Sequence, residues 1–145
     1  MKARFGLTVF MVLAVAGIAG AVDQPMMQAA RGDLQTAKHE LQMATPDKGG
    51  HRAKALALIN DAIAEVNAGI AFDRRHSHAA GVGSKATFAG TVDQPHMQAA
   101  LTALESAKND LDRANADKGG HRAKAIDLVK DAISKVKKGI EAGRS

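Results

Sequence analysis

The sequence DKGGHRAKA occupies residues 47–55 and recurs without a change at residues 117–125. Two adjacent glycines supply the backbone freedom for a tight reversal, and the aspartate before them can accept hydrogen bonds from free N–H groups at a helix start. The repeated string therefore predicts a turn between two helices, and it predicts that turn twice in the chain.

The residues before each turn carry apolar side chains at steps of three and four, which is the spacing of one helix face. One column holds large side chains and the other holds alanine, which lets a partner helix approach closely. Pro25 and Pro95 suit a first helical turn, and Pro46 suits a stop. The two columns comprise Met27, Ala30, Leu34, Ala37, Leu41 and Ala44, and then Met97, Ala100, Leu104, Ala107, Leu111 and Ala114.

The residues after each turn also follow a helical period, with a broader apolar face that is typical of a core helix. In the first copy this face comprises Leu56, Ile59, Ile63, Val66 and Ile70, widened by Ala55, Leu58 and Ala62. In the second copy it comprises Ile126, Val129, Ile133, Val136 and Ile140, widened by Ala125, Leu128 and Ala132.

The two copies align without a gap at a constant offset of 70, and about thirty of the fifty-four aligned positions are identical. The segment between them is rich in Gly, Ala and Ser and has no apolar period, which predicts a flexible linker. The predicted organisation is a signal peptide at 1–21, a first αα-hairpin at 22–71, a linker at 72–91 and a second αα-hairpin at 92–145.

A single hairpin of about fifty residues buries too little apolar surface to be safely stable, whereas two hairpins can share one core. We therefore predict an all-α protein in which two tandem hairpins form an antiparallel four-helix bundle. The alternative is that the hairpins open and pair with another copy of the chain.

The first twenty-one residues have the features of an export signal. Lys2 and Arg4 precede an apolar run at 5–20, and residues 19–21 have the small-x-small form of a cleavage site. The run is shorter than the roughly twenty residues that a membrane span needs. The prediction is a periplasmic or secreted protein with no membrane span after cleavage, and the alternative is an uncleaved anchor.

Composition excludes several classes of function. Formal net charge is +5 and falls to about +3 once the signal is removed, with no clustered basic face, so nucleic acid is not a predicted partner. There is no cysteine, which excludes disulfides and thiol chemistry. No serine lies in a nucleophile elbow and no acid–base pair stands out, so we predict that the protein is not an enzyme.

The repeated turn has a second interpretation, as an anion site. Free N–H groups at a helix start attract a phosphate or carboxylate, and glycines let it approach closely. The spacing is not that of a phosphate-binding P-loop. The candidate residues are Lys48, Gly49, Gly50, His51 and Arg52, and their counterparts Lys118, Gly119, Gly120, His121 and Arg122.

A metal site is the other candidate. His76 and His78 lie close together in the linker, where two imidazoles can bind a copper, nickel or zinc ion. His96 and Met97 form a pair suited to exported copper, because a thioether favours Cu(I). Met97 also lies on the apolar column, where methionine is commonly core packing. Apart from such a copper, nickel or zinc ion, the sequence predicts no cofactor.

The two copies, with DKGGHR as their most specific part, resemble the repeat of small exported bacterial proteins that mostly carry no assigned activity. The first copy departs from that pattern, with Met26 where His96 stands. The chain is similar, more distantly, to the periplasmic small metal-binding proteins, which are far richer in histidine.

The leading hypothesis for function is an exported, non-catalytic helical repeat protein that acts as a structural or protein-binding module of the cell envelope. Its partner would be an unknown envelope protein or a second copy of itself. The alternatives are a periplasmic metal buffer and anion binding at the DKGGHR turns.

Overall fold

The computed structural model describes residues 23–46, 49–76, 93–114 and 119–144. Within these ranges the chain forms helices and no strand, which confirms the all-α prediction. The helices are α1 (Asp23–Met43), α2 (His51–His76), α3 (Asp93–Arg113) and α4 (His121–Ala142). We call α1 with α2 the first hairpin and α3 with α4 the second hairpin. The predicted signal peptide lies outside the described residues.

Helix α2 is longer than the sequence indicated. It continues through His76, past residue 72 where the linker was predicted to begin. Phe72 is half-buried, and its ring lies beside Gly119 at the start of the second hairpin. This contact lies two residues beyond Ile70, which is the last buried residue of α2. The remaining linker, residues 77–92, lies outside the described residues.

The four helices pack as a bundle in which each helix touches two neighbours. Helix α1 contacts α2 and α3, and α4 contacts the same two helices. Among the described residues, α1 does not contact α4 and α2 does not contact α3, so these pairs lie on the diagonals. The contacts between hairpins are more extensive than those between the two helices of one hairpin. Most of the core is therefore shared between the hairpins.

Two contacts are consistent with antiparallel neighbours. Glu40, in the last turn of α1, bonds to His96, in the first turn of α3. His121, at the start of α4, bonds to Glu65 in the second half of α2. Both contacts match antiparallel packing of α1 with α3 and of α2 with α4. Consequently, α2 ends and α3 begins at opposite ends of the bundle.

The predicted columns form the core. In α1 and α3 every member of the alternating columns is buried, and Leu34, Leu41, Leu104 and Leu111 have no solvent exposure. In α2 and α4 the fully buried column is narrower than the predicted face, and it includes alanines as well as larger side chains. Its members are Ala55, Ile59, Ala62, Val66 and Ile70, and Ala125, Val129, Ala132, Val136 and Ile140. The larger flanking side chains, such as Leu56 and Ile63, are partly buried against it.

Candidate functional site

The glycines of the repeated turn have two different roles. Gly50 and Gly120 adopt φ angles of 64° and 73°, in the left-handed region that side chains disfavour. Their carbonyl oxygens accept the first helical hydrogen bonds of α2 and α4, from the N–H groups of Lys54 and Lys124 at 3.2 Å. The second glycine of the string is therefore needed for its backbone conformation, as the turn interpretation predicts.

The arginine of the string caps the helix before the turn. The Nη1 group of Arg52 donates to the carbonyl oxygens of Leu41 at 3.1 Å and Ala44 at 2.8 Å. Arg122 donates in the same way to Leu111 at 3.0 Å and to Asp112 at 3.5 Å. Carbonyl groups in the last turn of a helix lack helical partners, and the negative end of the helix dipole favours a cation there. Each arginine thus joins the two helices of its own hairpin.

These hydrogen bonds give Arg52 and Arg122 a structural role, although both residues were predicted to bind an anion. Their guanidinium groups face backbone carbonyls, whereas an anion would need donors directed to solvent. Lys48 and Lys118 lie outside the described residues. Anion binding at the turns stays a prediction, and the capping bonds account for the arginines without a ligand.

The histidine of the string packs against the first glycine. A Cβ atom built on Gly119 would lie 2.7 Å from Cδ2 of His121, and one built on Gly49 would lie 2.6 Å from Cδ2 of His51. The imidazole therefore occupies the space that a side chain at the first glycine would need. In the second hairpin, Nδ1 of His121 also lies 2.7 Å from a carboxylate oxygen of Glu65. Since a carboxylate only accepts hydrogen bonds, Nδ1 carries the proton.

We expect Gly119→Ala to lower the free energy of unfolding by about 1–3 kcal/mol, the usual cost of forcing an extra group into a packed site. The new methyl would displace His121, which bonds to Glu65, and it would also lie 3.4 Å from the ring of Phe72. Urea unfolding followed by circular dichroism measures the change. Gly143→Ala is the control, because Gly143 has an ordinary φ of −81° and ends α4. Equal stability of Gly119→Ala and the unmodified chain would contradict the packing role.

A second histidine–carboxylate pair links the hairpins at the other end of the bundle. Nδ1 of His96 lies 2.6 Å from Oε2 of Glu40. The side chains are 14% and 8% exposed, so this pair is more deeply buried than His121 with Glu65, which are 26% and 28% exposed. In both pairs the first hairpin supplies the carboxylate and the second hairpin supplies the imidazole.

A groove of about 250 Å³ lies between α1 and α3, beside the His96–Glu40 pair. Two carboxylates, three hydroxyl groups and two alanines line it. These residues are Asp33, Thr36, Glu40, Ala99, Thr102, Ala103 and Ser106. Glu40 is only 6% exposed and is the one buried charged residue in the part of the chain that the structure describes. The groove therefore presents a desolvated carboxylate at the surface between the two hairpins.

The hydrogen-bond donors of this groove are partly used by its own helices. The hydroxyl of Thr36 donates to the carbonyl oxygen of Gly32 at 3.1 Å, and that of Thr102 donates to Gln98 at 3.1 Å. Each hydroxyl has one donor and two acceptor positions, so both oxygens keep acceptor capacity. Together with the two carboxylates they make a lining that consists largely of acceptors.

The charged form of the Asp33 carboxyl group is disfavoured in this groove. Burial raises the pKa of its carboxyl group above the ordinary 3.8, and the charge of Asp110 on α3 raises that pKa further. No cation within residues 23–46, 49–76, 93–114 and 119–144 forms an ion pair with Asp33 or Asp110. A cation bound between the helices would offset the repulsion between the two carboxylates.

The predicted metal-ligating residues are not brought together by the described structure. Met97 is buried in the core at 6% exposure, and His96 bonds to Glu40. The side chain of His76 and all of His78 lie outside the described residues. Across the described segments, no group of three His, Cys, Asp or Glu side chains has a geometry suited to a metal ion. Metal binding in the linker stays a prediction.

Sequence reasoning missed Asp33, Glu40 and Glu65. Each lies on a helix face that flanks the apolar columns, where charged residues are usually solvated. One signal was present in the sequence: Glu40 lies next to Leu41 and three residues after Ala37, at the edge of the predicted seam. A carboxylate at such an edge becomes buried only if another helix covers it, and the neighbour of that edge is not apparent from the sequence.

Within the described segments, one helix is long and apolar enough to cross a membrane by length and composition alone. This helix is α2, and a third of its most apolar window is buried inside the bundle. Core helices of bundles meet the same two criteria, so the finding is weak evidence for a span. The prediction of no membrane span after signal cleavage is unchanged.

Comparison with known proteins gave no match to a family model, to a curated protein or to a solved structure. The function is therefore argued from the chain's own geometry.

Proposed function

We propose that this protein is an exported, non-catalytic helical module of the cell envelope that binds a basic group in the α1–α3 groove. The groove itself, with the buried carboxylate of Glu40 in its wall, is the observation that supports the proposal. Pockets that combine an apolar floor with a few convergent polar groups are the usual form of binding sites. Export rests on the sequence features of residues 1–21, and absence of catalysis rests on the residue inventory of the chain.

The lining of the groove determines the chemistry of its ligand. The carboxylates accept hydrogen bonds, and so do the hydroxyl oxygens of Thr36 and Thr102, whose protons are already donated to backbone carbonyls. The complementary ligand is therefore a hydrogen-bond donor. Ala99 and Ala103 contribute methyl groups, which favour a ligand with a short hydrocarbon body. An alkylammonium group meets both conditions. It can come from a free amine or from a lysine side chain of a partner protein.

Titration with butylammonium chloride, and separately with Nα-acetyl-lysine amide, tests this proposal. We expect saturable changes in the backbone amide NMR signals of Ala99, Thr102 and Ala103. Asp33→Asn should weaken binding at least about tenfold, because a charge-assisted hydrogen bond contributes about 1.5–3 kcal/mol. Asp61→Asn is the matched control, since Asp61 is an exposed carboxylate on α2 outside the groove.

The pH dependence of binding provides an independent check. The raised pKa of Asp33 means that its carboxyl group is neutral in acid and becomes charged only as the pH rises above 3.8. Because an ammonium ion binds the charged form, affinity should increase through this window, and Asp33→Asn should reduce the increase.

Butylammonium binding without acetyl-lysine amide binding would indicate a free amine as ligand, and binding of both would favour a partner's lysine. Absence of saturable changes with either probe, or equal losses in Asp33→Asn and Asp61→Asn, would contradict the proposed site.

A further inference from the structure

The α1–α3 groove carries two carboxylates on the same face of α1. Asp33 and Glu40 both line it, and they are seven residues apart, which is close to two full turns of an α-helix. Their separation along the helix axis is about 10.5 Å, at 1.5 Å per residue. An N–H···O⁻ contact is only about 2.8 Å long, so the two carboxylates are too far apart for a single ammonium group to contact both.

Glu40 has acceptor capacity that the protein leaves unused. Nδ1 of His96 lies 2.6 Å from Oε2, whereas Oε1 receives no hydrogen bond from any residue in the described segments. The side chain of Glu40 is only 8% exposed. Because buried polar atoms normally have a hydrogen-bond partner, a donor in the groove would complete the contacts of this carboxylate.

Charge is distributed unevenly between the two inter-hairpin helix pairs. Helices α1 and α3, which form the walls of the groove, carry four Lys and Arg residues against seven Asp and Glu residues. Helices α2 and α4 carry ten against six. The groove therefore lies in the acidic half of the bundle, where the surrounding field favours a ligand with more than one positive charge.

The groove also contains apolar groups between and opposite its carboxylates. Thr36 lies between Asp33 and Glu40 along α1 and presents a methyl group, because its hydroxyl proton is donated to the backbone of its own helix. Ala99 and Ala103 add methyl groups from α3. A hydrocarbon chain with an ammonium group at each end matches this order of anionic, apolar and anionic groups.

We propose that the groove binds a linear diamine whose two ammonium groups contact Asp33 and Glu40 at the same time. This inference rests on the proposed function, since it specifies which amine occupies the same groove. A lysine side chain of a partner protein supplies one ammonium group, so it satisfies only one end. The ligand that fits both ends is a free diamine.

The length of the groove limits the length of the diamine. From ordinary bond lengths, an extended chain of four methylene groups separates its nitrogens by about 6 Å. With an N–H···O⁻ contact at each end, the molecule spans about 12 Å, which is enough for the roughly 10.5 Å between the two positions on α1. Butane-1,4-diamine is therefore the probe.

Titration of the full chain with butane-1,4-diamine at neutral pH and constant ionic strength tests the inference against two probes that have one ammonium group. Butylammonium has the same carbon chain, and 4-aminobutan-1-ol has the same length with a neutral hydroxyl at one end. We expect the diamine to bind at least about tenfold more tightly than either, because it adds a second charge-assisted hydrogen bond. The backbone amide NMR signals of Ala99, Thr102 and Ala103 report all three titrations.

Glu40→Gln tests the second contact, because it keeps the shape of the side chain and removes its charge. The ratio of the butylammonium dissociation constant to the diamine dissociation constant should fall from at least about ten towards one. Glu65→Gln is the matched control and should leave this ratio unchanged, since Glu65 also bonds to a histidine but is not part of the groove. Circular dichroism checks that both variants are helical, and the comparison of probes on the unmodified chain does not depend on either variant.

The outcomes separate this inference from the proposed function. If butylammonium binds and the diamine binds no more tightly, the diamine is the wrong ligand while the amine site stands. If neither probe binds, both proposals are overturned. An unchanged ratio in Glu40→Gln, or an equal fall in Glu65→Gln, would contradict the contact of the second ammonium group with Glu40.

Discussion

Replacing Leu34 or Leu104 by alanine is expected to lower the free energy of unfolding by about 2–5 kcal/mol, the range for deleting a large buried side chain. Both leucines have no solvent exposure. They occupy equivalent positions in α1 and α3, which pack against each other across the two hairpins. The two substitutions should therefore have similar costs.

Urea unfolding followed by circular dichroism measures this cost, and the number of transitions is as informative as its size. Because the hairpins share their core, each variant should unfold in one transition. Leu101→Ala is the matched control on α3, since Leu101 is only partly buried and should cost less. Two separate transitions would mean that the hairpins have independent cores, and an equal loss for Leu101→Ala would contradict the special burial of Leu104.

The helical pattern of the sequence predicted this core well. The alternation of large and alanine columns in α1 and α3 depends only on the period of an α-helix, so it identified the buried residues without knowledge of the partner helix. Together with the duplication, this pattern predicted a four-helix bundle, and the contacts among the four helices confirm it. For α2 and α4 the broad apolar face was correct, but only part of it is fully buried, and the larger flanking side chains are partly buried.

The arrangement of neighbours was not predictable from the same pattern. A period shows which face of a helix is buried, but it does not identify the helix that covers it. For this reason the position of Glu40 beneath α3 was not foreseen. The groove beside Asp33 has the same origin, because it exists only where α1 and α3 of different hairpins meet.

The repeated turn was predicted in part. The need for backbone freedom at Gly50 and Gly120 follows from composition, and it is confirmed by their positive φ angles. The carbonyl contacts of Arg52 and Arg122 were missed. An arginine after a turn has many reachable acceptors, and the distance back to the end of the previous helix depends on the turn geometry.

His96→Ala is expected to lower the free energy of unfolding by about 3 kcal/mol, near the lower end of the cost of removing one partner from a buried ion pair. The substitution leaves the carboxylate of Glu40 at 6% exposure without the imidazole that lies 2.6 Å away. The penalty therefore comes from the desolvated charge that remains, more than from the lost hydrogen bond.

Substitutions at Glu40 distinguish these two sources of the penalty. If the uncompensated charge dominates, Glu40→Gln should recover much of the stability of the His96→Ala chain, because it keeps the shape and removes the charge. His39→Ala is the control, since His39 is an exposed imidazole on α1 next to Glu40. Urea unfolding of the four chains at neutral pH completes the comparison. If His96→Ala cost no more than His39→Ala, Glu40 would have another way to satisfy its charge, and the pair would not be a main source of stability between the hairpins.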